Sequence, residues 1–215
     1  MAILSHVLEF FLHLDVHLGA IIVRFGVFTY GLLFGVIFCE TGLVVTPFLP
    51  GDSLLFAAGA FAARGDLSIG LLYPLLLLAA IGGDSTNYLI GAYVGPHVFL
   101  RWHLLKQEHL DRAHAFFERH GRKALILSRF LPILRTVAPF SAGIARMTYL
   151  RFLSNSVIGG FLWVTLFTWG GYFFGAMPFV EHNFTLVILM IIAISVMPMV
   201  IEFLRHRWKR NGLAS

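Results

Sequence analysis

Two long apolar stretches of this 215-residue chain are each interrupted in the middle by prolines and charges, and that combination leaves few folds open. Residues 27–63 hold Glu40, Pro47, Pro50, Gly51 and Asp52; residues 124–147 hold Arg129, Pro132, Arg135 and Pro139. Proline removes a backbone donor and clashes with the preceding turn, so a helix breaks near the charges. In hydrocarbon a broken helix strands its amide groups, and the break is tolerated only where protein or a wet cavity covers it. Each stretch is therefore expected to form a re-entrant helical hairpin with a buried tip. Pro47, Pro50 and Gly51 would break the first, Pro132 and Pro139 the second.

Composition supplies the bilayer. The chain is 58% hydrophobic and 13% charged with a mean hydropathy of +0.82, whereas soluble domains run near 45–50% apolar and about 25% charged. Cys39 is the only cysteine, which excludes a disulfide-stapled module, and beside Glu40 it reads as a small buried hydrophobe. The excess of Lys+Arg 16 over Asp+Glu 11, in a chain with 22 Phe, suits basic flanks of membrane spans and makes nucleic acid no partner. Plain spans are predicted at 71–96 and 152–177, with a third at 184–204. The first eight residues lack Lys, Arg and a small-residue cleavage site, so no cleavable leader is expected. Residues 3–18 read as an interfacial helix, with a dipped or spanning segment as the alternative.

The two halves echo each other. Pro50 and Pro132 are 82 residues apart, Ala58-Gly59 and Ala142-Gly143 84 apart, and Gly91 and Gly171 80 apart. A hairpin followed by one span, used twice, accounts for all three spacings, and paired Pro-interrupted segments are the mark of inverted-repeat transporters. Chance alignment of Gly and Pro is the competing account. Arg101, Lys106, Arg112, Arg119, Arg122 and Lys123 crowd one connection, and Arg205, Arg207, Lys209 and Arg210 fill the tail. Both regions are expected in the cytoplasm, which puts Arg64-Gly65-Asp66 outside and inverts the second repeat.

The expected fold is thus an all-α polytopic membrane protein, an inverted repeat of re-entrant hairpin plus transmembrane helix. Residues 1–26 carry the N-terminal interfacial helix and 27–178 the membrane domain, including an amphipathic cytoplasmic helix at about 104–121. Residues 179–215 carry a C-terminal transmembrane helix and the basic cytoplasmic tail.

Glu40, Asp52, Arg129 and Arg135 cannot be left bare. One Asp or Arg at a helix centre costs about 2.5–3.5 kcal/mol, so four unpaired would cost roughly 10 kcal/mol. The repeat places both carboxylates in one hairpin and both guanidiniums in the other, so the tips are expected to meet as a charge-balanced cluster. A structural clasp is one reading. The functional one gives Arg129 and Arg135 a phosphate, which their planar donor forks match. Glu40 or Asp52 then gains a proton when a substrate phosphate takes its arginine away, coupling proton to anion movement. Asp84, with Asn87 and Tyr88 at i+3 and i+4, is a secondary candidate in the first span, for a pathway role or for a structural hydrogen bond. Gly83, Asn87, Gly91 and Gly95 recur every fourth residue as a smooth packing stripe.

No enzyme is indicated. Ser128-Arg129 lacks the histidine that a lipid-phosphate phosphatase needs a few residues on. His109 and His114 share no helical face suited to zinc, and neither metal nor cofactor is expected.

The run Phe38-Cys39-Glu40-Thr41-Gly42-Leu43-Val44-Val45-Thr46-Pro47-Phe48-Leu49-Pro50-Gly51-Asp52 carries a family likeness, as does Ser128-Arg129-Phe130-Leu131-Pro132-Ile133-Leu134-Arg135-Thr136-Val137-Ala138-Pro139-Phe140. With Gly83-Asp84 through Gly91 and Gly171-Tyr172-Phe173-Phe174-Gly175, the chain resembles over nearly its whole length the DedA family of bacterial inner-membrane proteins, which share the VTT (SNARE-associated) domain. The resemblance implies lipid translocation, of undecaprenyl phosphate or phospholipid, often dependent on the proton motive force. It carries a functional acidic pair onto Glu40 and Asp52 and an arginine pair onto Arg129 and Arg135. The partners it implies are anionic phosphate lipids and protons, and homo-oligomers are compatible with it. A phospholipid scramblase, a proton-coupled small-ion transporter and a non-transporting structural protein are the alternatives.

The Lys/Arg distribution makes a direct prediction. Gly65→Cys, Lys106→Cys and Lys209→Cys, each in a Cys39→Ala background, are probed with an impermeant thiol reagent in intact cells. Only position 65 should label; labelling at 106 or 209 without permeabilisation would overturn the topology.

Overall fold

The computed structural model describes residues 14–43, 51–94, 125–129, 131–195 and 197. Their regular structure is helical: α1 Leu14–Phe25, α2 Phe28–Gly42, α3 Gly51–Ala63, α4 Ile69–Tyr93, α5 Pro132–Ile144, α6 Tyr149–Phe174, α7 Pro178–His182 and α8 Phe184–Ser195, with one helical turn at 125–128 before α5. The expected tip prolines Pro47 and Pro50, the cytoplasmic helix at 104–121, Gly95 and the basic tail lie outside the described residues.

Length sorts these helices. At about 1.5 Å per residue, the 25 residues of α4 and 26 of α6 exceed the ~30 Å of a bilayer core, and both are apolar enough to cross it. They begin two or three residues before the predicted starts of 71 and 152. The 13 residues of α3 and of α5 reach only about 20 Å, too short to cross alone. The N-terminal helix differs from expectation in placement: α1 runs to Phe25, and Leu18 is buried with Gly19 against Phe61 of α3. The predicted last span begins as α8 at Phe184.

The protein is apolar outside as well as in its core, with a charged cluster buried inside. Leu78, Leu150, Leu166, Tyr93 and Phe173 are exposed, while Glu40, Asp52, Asp84, Arg129 and Arg135 are buried. So broad an apolar exterior around a charged interior is stable only with lipid as the solvent. Cys39 corrects the sequence reading, because it is exposed. Turning Glu40 inward rotates its chain neighbour about 100° toward the outside of α2.

The spans α4 and α6 run antiparallel. Tyr73 hydrogen-bonds Thr165 at 2.7 Å near one end, while the Tyr88 ring stacks on Phe152 at 4.5 Å near the other. Each short arm packs against the span of the other half. On α3, a Cβ at Gly59 would strike the Thr168 carbonyl and Tyr172 nitrogen of α6, and a Cβ at Gly171 would strike the Phe56 carbonyl. On α5, a Cβ at Gly143 would strike the Tyr88 carbonyl and Ala92 nitrogen of α4, and one at Gly91 the Phe140 carbonyl. Every residue of the first contact is matched in the second, the arms at a spacing of 84 and the spans at 80. The glycines singled out in the sequence are therefore the places where backbones touch. In lipid, where burial from water drives nothing, such close van der Waals approach is what holds helices together.

Both arms also end alike. Gly65 N donates to Ala62 O and Asp66 N to Phe61 O, closing α3; Arg146 N donates to Gly143 O and Met147 N to Ala142 O, closing α5. These are Schellman caps, with Gly65 at φ 88° and Arg146 at φ 51° in the left-handed position. The caps are 81 residues apart, so α5 meets its span about one turn nearer its C-terminal end than α3 does.

The prolines of the second hairpin need a correction. Pro132 does mark a break, as the first residue of α5 after an extended Leu131 at φ −120° and ψ 112°. There its missing N–H costs nothing. Pro139 breaks nothing and lies inside α5, as Pro74 lies inside α4. Membrane helices accept such prolines where neighbouring helices support the freed backbone.

Two substitutions separate these effects. Gly143→Val should cost about 3 kcal/mol or more by forcing α5 off α4. Arg146→Gly should gain about 1 kcal/mol by relieving the left-handed strain. Thermal unfolding of the detergent-purified protein checks both, and equal midpoints would refute the assignment.

Candidate functional site

Glu40 lies in the last turn of α2 and Asp52 in the first turn of α3, so the two carboxylates face each other across the end of one helix and the start of the next. Gly51 N donates to Glu40 Oε1 at 3.2 Å. A Cβ at Gly51 would overlap the Glu40 carboxylate, so the tip is glycine to let that carboxylate in. Asp52 also sits where the first-turn amides of α3 favour negative charge.

Arg135, one turn into α5, spans both acids. Its Nη1 donates to Glu40 Oε1 and its Nη2 to Asp52 Oδ1, each at 2.8 Å. Beneath the guanidinium lies the ring of Trp163 on α6, 4.5 Å from Cζ to the ring centroid, a cation–π geometry. The same indole donates through Nε1 to Asp52 Oδ1 at 2.7 Å, and Ser195 of α8 donates to Asp52 Oδ2. Five helices meet on this one group of atoms.

Arg129 does not join the acidic pair of the first hairpin. Its Nη2 pairs with Asp84 Oδ2, which also accepts from Ser156 Oγ. The Arg129 guanidinium is 5.7 Å from the Trp163 centroid. Its stem runs past Gly159 and Gly160, where a Cβ would come within 3.2 Å of Cδ and 3.4 Å of Nη1. The expected charge-balanced quartet is thus a quintet, three carboxylates against two guanidiniums among the described residues. Exposures of 3% for Glu40, 7% for Asp52, 3% for Asp84, 2% for Arg129 and 3% for Arg135 put all five beyond solvent screening. Buried hydrogen-bonding capacity is left over: among the described residues Glu40 Oε2, Asp84 Oδ1, Arg129 Nη1 and Arg135 Nε have no hydrogen-bond partner.

Asn87 supports the cluster from α4. Its Nδ2 donates to Thr41 O at 3.0 Å and to Thr136 O at 2.8 Å, pinning the end of α2 and the N-terminal part of α5 to one span. Tyr88, grouped with Asp84 and Asn87 by spacing, belongs elsewhere. Its hydroxyl donates to Met147 O, and its ring joins Phe152, Leu125 and Ala142 in a separate apolar cluster.

Trp163, Ser156, Ser195 and the Gly159–Gly160 pair were not singled out from sequence. A tryptophan near the middle of a span was the available signal, since a buried indole N–H must find an acceptor. The serines offered none.

The VTT domain family matches residues 49–173. Protein DedA of Escherichia coli strain K12 is 49% identical over 211 residues, 96% of each chain. An uncharacterized membrane protein of Mycobacterium leprae is 44% identical over 77% of this chain and 75% of its own. Inner membrane protein YghB of Escherichia coli strain K12 is 36% identical over 72% of this chain and 71% of its own. No solved structure matches. With half its residues shared with one relative from end to end and the domain match covering more than half its length, the chain belongs to the DedA family of VTT-domain membrane proteins.

Proposed function

We propose that this protein is a membrane lipid translocase, carrying an anionic phosphate headgroup across the bacterial inner membrane with proton coupling; undecaprenyl phosphate is the first candidate cargo. The carrying observation is the buried quintet, in which guanidinium donors and carboxylate acceptors remain unspent in a water-poor interior. A clasp built for stability alone gains little from buried ions, since well-packed apolar residues serve as well or better.

Broken helices supply the route. Arms of 13 residues are too short to cross a bilayer core, which supports the re-entrant reading, and the charges gather at their ends. The antiparallel spans support an inverted arrangement. So does the Arg64–Glu181 ion pair of 3.5 Å, which places the turn before α4 and the turn after α6 on one face, taken here as the outside. The polyprenyl tail stays in lipid, so only the headgroup needs the protein. An arriving phosphate competes with a carboxylate for a guanidinium, and the displaced carboxylate is neutralised by a proton. No covalent step is required, and the protein acts as a transporter rather than an enzyme.

Proteoliposomes holding a labelled polyprenyl phosphate, read leaflet by leaflet, test this. Wild type should exchange the lipid faster than empty vesicles, and faster still under an imposed inward proton gradient. Arg129→Ala should lose both effects. Equal exchange in all three, with phospholipid probes included, would leave the structural reading.

A further inference from the structure

The two buried arginines are held in unlike ways, although the sequence presents them as a pair. We propose that Arg135 is a fixed clasp, and that Arg129 is the anion site, with Asp84 as its exchangeable counter-ion; the ligand class is a phosphate monoester. This deepens the translocase reading and rests on it.

Arg135 is tied down at both ends of its fork, with only Nε left over among the described residues. Both terminal nitrogens are committed at 2.8 Å to two carboxylates on two helices, and its face lies on Trp163. Freeing it would break two charge-assisted bonds and strand Glu40 together with Asp52. It would also release the contact joining α2, α3 and α5.

Among the described residues Arg129 is held by one carboxylate through one nitrogen, and Nη1 is buried without a partner. Gly159 and Gly160 let the Arg129 side chain lie directly against α6, where a Cβ would crowd Cδ and Nη1. A phosphate oxygen can accept from Nη1 first and then from Nη2 as Asp84 lets go, so the exchange passes through no bare guanidinium. The fork geometry that suits a carboxylate suits a phosphate equally.

Asp84 is built to be released. Ser156 donates to the same oxygen that Arg129 holds, so the carboxyl keeps one partner after exchange. Its Oδ1, free of hydrogen bonds, is open to a proton. The groups facing it are Arg129 from the 125–129 segment and Ser156 from α6. Beyond them stand Arg135 on α5 with Glu40 on α2 and Asp52 on α3, themselves mutually engaged. Among the described residues, three carboxylates against two guanidiniums leave no spare cation for Asp84 once a phosphate holds Arg129, so one proton enters per anion bound.

The full-length protein in detergent is titrated with labelled inorganic phosphate and, separately, with a labelled short-chain polyprenyl phosphate. Binding of both alike identifies a site for free phosphate; preference for the prenyl ester identifies a lipid headgroup. Asp84→Asn removes the competing carboxylate, and a charge-assisted bond of about 1.5–3 kcal/mol predicts at least a roughly tenfold gain in affinity. That variant should also lose the rise in wild-type affinity as the pH falls. Arg129→Ala with Asp84→Asn leaves no new unpaired charge, so it should fold and bind neither ligand. Glu40→Gln with Arg135→Gln should lower the unfolding midpoint yet still bind. The division of roles is overturned if the first double variant binds, if the folded second one does not, or if Asp84→Asn weakens binding. Intact binding without leaflet exchange would instead count against the translocase reading alone.

Discussion

The structure turns on one guanidinium. Arg135 joins the end of α2 to the start of α3 by holding Glu40 and Asp52 together, and it carries α5 with it. Trp163 brings α6 against the same atoms and Ser195 brings α8. Removing one partner of such a buried pair costs about 3–5 kcal/mol, a large share of the 5–15 kcal/mol that separates a typical native domain from its unfolded state. The desolvation paid to assemble the cluster is of similar order. Its net stabilisation is therefore small, and its geometric demands are severe. A fold that accepts those demands beside its apolar core is organised around the charges.

What surrounds the cluster is held by another force. At Gly59, Gly171, Gly91 and Gly143 backbone meets backbone with no room for a methyl group. These contacts are mostly dispersion, so each is weak per atom pair and intolerant of added volume. The division is spatial: glycine contacts fix the arms to the spans, and ionic contacts fix the arm ends to one another. Asn87 belongs to the second set, because it donates to the carbonyls of Thr41, in the last turn of α2, and Thr136, in the N-terminal part of α5.

Sequence logic reaches the membership of the cluster more readily than its pairing. Glu40, Asp52 and Arg135 are legible because bare charge among apolar residues is costly, and the cost follows from composition and position alone. Which guanidinium meets which carboxylate depends on the rotation of α4 and α6 about their axes. The hydrophobic pattern constrains that weakly in helices that are apolar on nearly every side. Asp84 was therefore recognised as a pathway or pairing candidate without its partner, and Tyr88 was grouped with it by spacing although the helix turns its ring toward Phe152. The glycine spacings succeeded for the opposite reason, since close backbone approach demands glycine at a fixed place and leaves a trace in the sequence. Pro139 misled because proline disfavours a helix only where nothing else supports the backbone.

The glycine contacts recur at matching spacings and the site does not. Under the 80-residue correspondence of the spans, Asp84 falls on Val164, Ser156 on Leu76, and Gly83 on Trp163. Gly83 admits α2, whose Gly42 lies against it, so a tryptophan there would exclude that helix. In the other half only the turn at 125–128 precedes α5 among the described residues. Trp163 takes space beside the two arginines that it cradles. The acids thus belong to the first half and the bases to the second, and neither half alone could bury its charges. Each half needs the other twice, once for backbone contacts and once for charges that only the opposite half can neutralise. The second need is what makes matched backbone contacts hold an asymmetric site, in which Arg135 is tied to two carboxylates and Arg129 to one.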